Sequence, residues 1–283
     1  MTALAPLLIR RQRVLLLVLL GLSVVSWLVV LRVARGDGRP GRRNGLSGRW
    51  NGGAGRNGGG RDGDGSASMT NPLVMGMTPA VFLATWTVMM AAMMLPSAAP
   101  MVLTFDAVQT ARNRQGRAIV GTWVFVGGYL LVWALTGMVA YAAAVGAGWV
   151  SASSPSLASL APRLAGTVIL AAGLYQLSPL KDRCLSRCRT PTQFVLAGWR
   201  NGRLGALRMG LEHGLFCLGC CWLLFALLLP LGIMNIAAMA AVTLFVLAEK
   251  ALPGGLRLVR ASAAVLIVAG AAVTLFPALL PVV

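Results

Sequence analysis

Apolar residues along this chain fall in runs of about 20, the length needed to cross a bilayer as a helix, and the connecting stretches hold nearly all of the charge. The first run spans about Val14 to Leu31 and is flanked by Arg10, Arg11, Arg13 and Arg32. It is longer than the apolar part of a signal peptide, and no small-x-small site follows it directly. Residues 1–33 are therefore expected to form an uncleaved transmembrane anchor. Six further runs follow at about Thr78–Leu103, Ala118–Val145, Leu164–Leu180, Leu204–Leu229, Ile233–Ala248 and Leu258–Leu280. The pattern predicts an all-α, polytopic membrane helix bundle of about seven transmembrane helices, the anchor plus a core of six.

Between the anchor and the core, residues 34–76 are Gly-, Arg- and Asn-rich, and Ala34 to Ser68 has too few apolar side chains to bury a core. A disordered loop is expected there. Residues 77–283 then form a polytopic helical domain. Its basic residues alternate: Arg112, Arg114 and Arg117 follow the second run, Lys181 to Arg208 the fourth, and Glu249-Lys250 ends the sixth, while the connections after the third and fifth hold none. By the positive-inside rule the N terminus is cytoplasmic. The loop from Ala34 to Ser68 runs against this orientation, because it would carry Arg35, Arg39, Arg42, Arg43, Arg49, Arg56 and Arg61 to the other side.

Composition agrees with the pattern: 57% of residues are apolar, 11% are charged, and mean hydropathy is +0.77. The net charge of +18 would suggest nucleic acid in a soluble protein. Here it sits in the connections, where it sets topology and meets lipid headgroups, and no nucleic-acid-binding module is present.

Candidate chemistry lies inside two of the apolar runs. The fifth holds His213, the sole histidine, followed by Cys217, Cys220 and Cys221, and all four fall within an arc of about 100° on a helix. Ionisable and soft-ligand side chains at membrane depth point to function. Thiolate and imidazole suit Cu(I) or zinc. The second run supplies Met90, Met93 and Met94 on one face with Ser97 and Met101. Thioether sulfur is an uncharged ligand that favours Cu(I). Pro96 removes one backbone hydrogen bond, freeing a carbonyl near Ala92 and predicting a kink.

Other residues extend the picture. Cys184 and Cys188 lie four apart among arginines on the cytoplasmic side, and are expected to be solvent-facing thiols of lowered pKa, suited to relay a metal. Glu212 is placed to orient the neighbouring imidazole. Glu249 is expected in an ion pair that aids packing. Asn235, next to Met234, reads as a helix cap.

Several segments together carry a family resemblance: Trp86, Met89, Met90, Ala92, Met93, Met94, Leu95, Pro96, Ser97 and Pro100; Gly128-Tyr129-Leu130 with Trp133; and Ala172-Gly173-Leu174-Tyr175-Gln176-Leu177 before Lys181, Cys184, Cys188 and Arg189. With them go His213-Gly214, Cys217-Leu218-Gly219-Cys220-Cys221-Trp222, Gly232-Ile233-Met234-Asn235 and Glu249-Lys250. Over about Met77 to Pro253 the chain resembles the bacterial family of metal-binding integral membrane proteins known as domain of unknown function 2182. The resemblance implies a bacterial inner-membrane, multi-pass protein.

The expectation is an integral membrane protein that binds a soft metal ion, Cu(I) before zinc, for transport or delivery. Its metal ligands are His213, Cys217, Cys220, Cys221, Met90, Met93 and Met94, with Cys184 and Cys188 as a relay. Its partners are the lipid bilayer, the metal ion and a metal chaperone or metalloenzyme, and no nucleic acid. A thiol-disulfide or quinone-linked oxidoreductase and a non-catalytic assembly subunit are the alternatives.

Overall fold

A computed structural model of the chain describes residues 4–37, 78–113, 121–153, 160–228 and 235–276. The described residues form nine helices and no strand: α1 (Leu4–Asp37), α2 (Pro79–Asn113), α3 (Thr122–Ser153), α4 (Ala161–Gln176), α5 (Pro179–Arg189), α6 (Pro191–Ala197), α7 (Gly202–Ala226), α8 (Ile236–Ala251) and α9 (Gly255–Leu275). The chain is an all-α helix bundle.

Five of these helices are long and apolar enough to cross a membrane: α1 over Arg10–Ala34, α2 over Pro79–Arg112, α3 over Thr122–Val150, and the whole of α7 and α9. The expected fourth and sixth spans differ. They fold as α4 and α8, of 16 residues each, about 24 Å at 1.5 Å per residue and short of a 30 Å hydrocarbon layer. Local signals set these limits. Ser178, accepting a hydrogen bond from the Lys181 amide (3.2 Å), and Pro179 at the first helical position start a new helix directly after α4. Asn235 caps α8 through the Ala238 amide (3.1 Å), as the sequence predicts, and Pro253 follows its end.

The arginine-rich connection after α4 also differs from a plain loop, since it folds into the short helices α5 and α6. Of the expected loop over residues 34–76, Ala34 to Asp37 continue α1, and the remainder lies outside the described residues. Pro230, Gly232 and Met234 lie outside them as well.

The helices α2 and α7, which carry the methionines and cysteines, are central: 61% and 50% of their apolar windows are buried, against 17% for α1 and 22% for α3 and α9. α1 runs antiparallel to α2. Arg11 pairs with the buried Asp106 (2.7 Å), which also accepts from the Thr122 hydroxyl at the start of α3 (2.6 Å). Further along, the Ser23 hydroxyl donates to the Ala92 carbonyl (2.7 Å). That carbonyl is the one Pro96 leaves without an amide partner, and α1 satisfies it while α2 stays helical through Pro96 and Pro100.

α3 and α7 approach through small residues. A Cβ on Gly210 would strike the Phe125 carbonyl oxygen, and one on Gly214 would lie 2.8 Å from Val132. α4 lies antiparallel along α9, with Gly166 against Thr274 and Gly270 against Leu170. Across the base, the Lys181 ammonium bonds both carboxylate oxygens of Glu249 (3.0 and 2.9 Å), both side chains being about 1% exposed. Gln176 joins this pair and also bonds Ser262 (3.2 Å), which fastens α4 and α5 to α8 and α9. The expected ion pair of Glu249 is therefore present.

Candidate metal centre

The small residues of α7 decide which face it buries. Gly210 and Gly214 let α3 approach, and Gly219 faces Cys184 of α5, whose Sγ would stand 2.7 Å from an added Cβ. Between these close approaches His213, Cys217, Cys220 and Cys221 all turn inward and are buried. Met90, Met93 and Met94 of α2 are buried in the same contiguous core, together with Cys184, Tyr129 and Met209.

A single ammonium group touches both runs. Lys250, on the last turn of α8, lies 3.1 Å from Cys217 Sγ and 3.2 Å from Ser97 Oγ. Ser97 in turn donates to the Met94 carbonyl (3.0 Å) and lies 4.0 Å from the Met94 sulfur. The Tyr129 hydroxyl stands 3.2 Å from Cys217 Sγ on its other side. The thiols of Cys220 and Cys221 donate back to the Cys217 carbonyl (3.0 and 2.8 Å), as short side chains do within a helix.

His213 stacks on Phe125 and Tyr129, with ring centroids 6.0 and 5.4 Å away, and Phe194 of α6 tilts against it at 5.8 Å. Both of its ring nitrogens are buried without a hydrogen-bond partner. A buried imidazole has one donor and at least one acceptor to satisfy, so the orphaned nitrogens suit an electrophilic ligand. The expected help from Glu212 does not occur. Glu212 turns outward to Arg208 (3.1 Å) and Arg200 (3.9 Å).

Cys184 and Cys188 depart from the solvent-facing pair expected of them. Helix α5 folds back on α7 and buries its Lys181, Cys184 and Leu185 face, while Cys188 is half-buried. Cys188 lies near enough to Cys217 and Cys220 to act on them electrostatically. The nearby arginines point away: Arg189 bonds the Glu249 and Leu252 carbonyls, and Arg187 sits over Phe216. The thiols are therefore shifted upward rather than down. Burial, with Cys220 alongside, raises Cys184; the neighbouring thiols of Cys217 and Cys220, and then burial, raise Cys188 well above the ordinary thiol value.

Among the described residues, no group of three or more His, Cys, Asp or Glu side chains converges as a metal site by itself. Lys250, Tyr129 and Ser97 are the site residues that sequence reasoning placed in other roles. The sequence carries no signal for Lys250, because a lysine at the end of an apolar helix ordinarily reads as a topology residue.

Residues 83–273, more than half of the chain, match the PpoB2 family, described as copper chaperones. The chain belongs to this copper-chaperone family. The match runs from α2 through most of α9 and takes in every candidate ligand, while α1 lies outside it. This copper-chaperone relative has no significant match among curated proteins or solved structures.

Proposed function

We propose that this protein is a multi-pass protein of the bacterial inner membrane that holds Cu(I) as cargo between α2 and α7 and passes it to a metalloenzyme or a further chaperone. The observation that carries the reading is the double contact of Lys250 with Ser97 and Cys217, because it brings the methionine run and the cysteine run to one small buried space. Cys217, His213 and the thioethers of Met94, Met90 and Met93 would supply ligands, with Cys220 and Cys221 adjacent.

Cu(I) suits this donor set better than zinc. Structural zinc sites take four tetrahedral Cys, His or carboxylate ligands, and no group of three such side chains converges among the described residues. Thioethers complete a coordination shell only for a soft ion. Cys188, half-buried yet close to Cys217 and Cys220, stands between the surface and the buried sulfurs, and with Cys184 fits a relay.

The membrane reading rests on the outward faces of α1, α3 and α9, where Leu17, Val139, Val265 and Val268 are about two-thirds exposed. Lipid stabilises such surfaces in number. Arg11, Arg112 and Arg189 gather at one end through Asp106, Trp199 and the α8 terminus, which supports a cytoplasmic placement of that end and of the N terminus.

The test is metal analysis of detergent-purified protein beside Cys217→Ser, His213→Ala and Met94→Leu. Copper in the wild type that falls in each variant is expected. No copper above background in any sample ends the proposal. A second reading, a dithiol switch, is favoured by the contact of Cys188 with Cys217 and Cys220; a disulfide between α5 and α7 found by differential alkylation, without copper, would establish it instead.

A further inference from the structure

We infer that Lys250 is an internal counter-cation that competes with the cargo ion for Cys217 and so sets how firmly the site retains copper. This rests on the copper reading above and adds to it a residue that is not a ligand.

The geometry carries the inference. Lys250 Nζ is bonded on one side to Cys217 Sγ (3.1 Å) and on the other to Ser97 Oγ (3.2 Å), one side chain from the Met94 sulfur. An ammonium in this position stands where a monovalent cation would sit between thiolate and thioether. Among the described residues no carboxylate pairs with Lys250, since the adjacent Glu249 is committed to Lys181. Its bonded neighbours are sulfur and hydroxyl, and the Glu249 carboxylate acts on it only at longer range.

Two consequences follow. A sulfur lone pair that receives the ammonium N–H is not available to a metal, so copper binding requires the Lys250–Cys217 bond to break. Two positive charges held a few ångströms apart at low dielectric repel strongly, so the ammonium must also withdraw. It has the means. The side chain is half-buried, sits on the last turn of α8 and has a flexible four-carbon stem. Retraction toward the basic end admits the ion, and return of Nζ to Cys217 favours its release. No electron is transferred: Cu(I) gains a bond to Cys217 sulfur, any thiol proton leaves to solvent, and the hydrogen bond from Lys250 is lost.

Full-length protein in detergent is loaded with Cu(I) under reductant and titrated with a Cu(I)-specific chelator. Lys250→Gln, which removes the charge, is expected to retain copper to about tenfold higher chelator concentration than wild type. Lys250→Arg, which keeps the charge, is expected to release it as wild type does. Should Lys250→Gln melt early, Ser97→Ala repeats the test by removing one of the two anchors of the ammonium, with retention again expected to rise. Equal or weaker retention in the folded uncharged variant overturns the inference and leaves the copper reading standing. A wild type that binds no copper removes both.

Discussion

The Ser23 hydroxyl donates to the Ala92 carbonyl across the α1–α2 boundary at 2.7 Å, and Ala92 is the residue whose carbonyl Pro96 deprives of its helical partner. One residue of α1 thereby repairs a defect that the sequence of α2 creates. Replacing Ser23 with Ala leaves a buried carbonyl unsatisfied, a cost of about 1–3 kcal/mol. A lower melting temperature in detergent, with copper content per folded protein unchanged, is the expected result. An unchanged melting temperature would show that this hydrogen bond contributes nothing to stability.

The contact of α3 with α7 leaves no room at Gly210, where an added Cβ meets the Phe125 carbonyl oxygen. Gly210→Val is expected to force the helices apart at a cost of about 1–3 kcal/mol or more. Because His213 stacks on Phe125, copper binding should weaken together with thermal stability. Stability and copper binding both at wild-type level would refute the close approach.

The buried pair of Lys181 and Glu249 predicts an asymmetry between single and double substitutions. Glu249→Gln strands the Lys181 charge and is expected to destabilise by about 3–5 kcal/mol. Replacing both residues with Met or Leu should recover most of that loss. Melting temperatures of the two single variants and the double variant decide it, and a double variant worse than either single would contradict the pairing.

The shifts at Cys184 and Cys188 have a definite sign. Both thiols are held above the ordinary value, so at neutral pH they carry less thiolate than a free cysteine, and their reactivity must rise at higher pH. Site-resolved alkylation by iodoacetamide from pH 7 to about 10 is expected to lag behind a free-thiol standard. Faster alkylation than the standard at pH 7 would restore the activated, solvent-facing pair that the arginines alone suggest.

Much of the burial pattern of the candidate site was legible because it depends on local periodicity. His213, Cys217, Cys220 and Cys221 share a stripe at helical spacing, and α7 buries that stripe. Pro96 marks Ala92 as the orphan carbonyl without any tertiary knowledge. Contacts that cross the bundle were less accessible. Lys250 reaches Cys217 from 33 residues away, and nothing in the neighbourhood of Glu249-Lys250 distinguishes a lysine aimed at sulfur from one aimed at solvent. The arginines around Cys184 read as a solvated face, yet α5 folds back because Gly219 offers a gap that fits the Cys184 side chain. The fourth run was read through to Leu180 because apolar residues continue past α4 across the Ser178-Pro179 break, where hydrophobicity persists and the helix does not, whereas the sixth run, Ile233 to Ala248, is as long as α8 and shifted from it by three residues.

Glu249 and Lys250 are consecutive, yet they hold two different helices: the first is clamped to α5 by Lys181, and the second grips the sulfur of α7. A single peptide unit separates the two attachments. Loss of the Lys181 contact of Glu249 is thus expected to loosen the neighbouring lysine from the buried thiol as well, so the two attachments should weaken together.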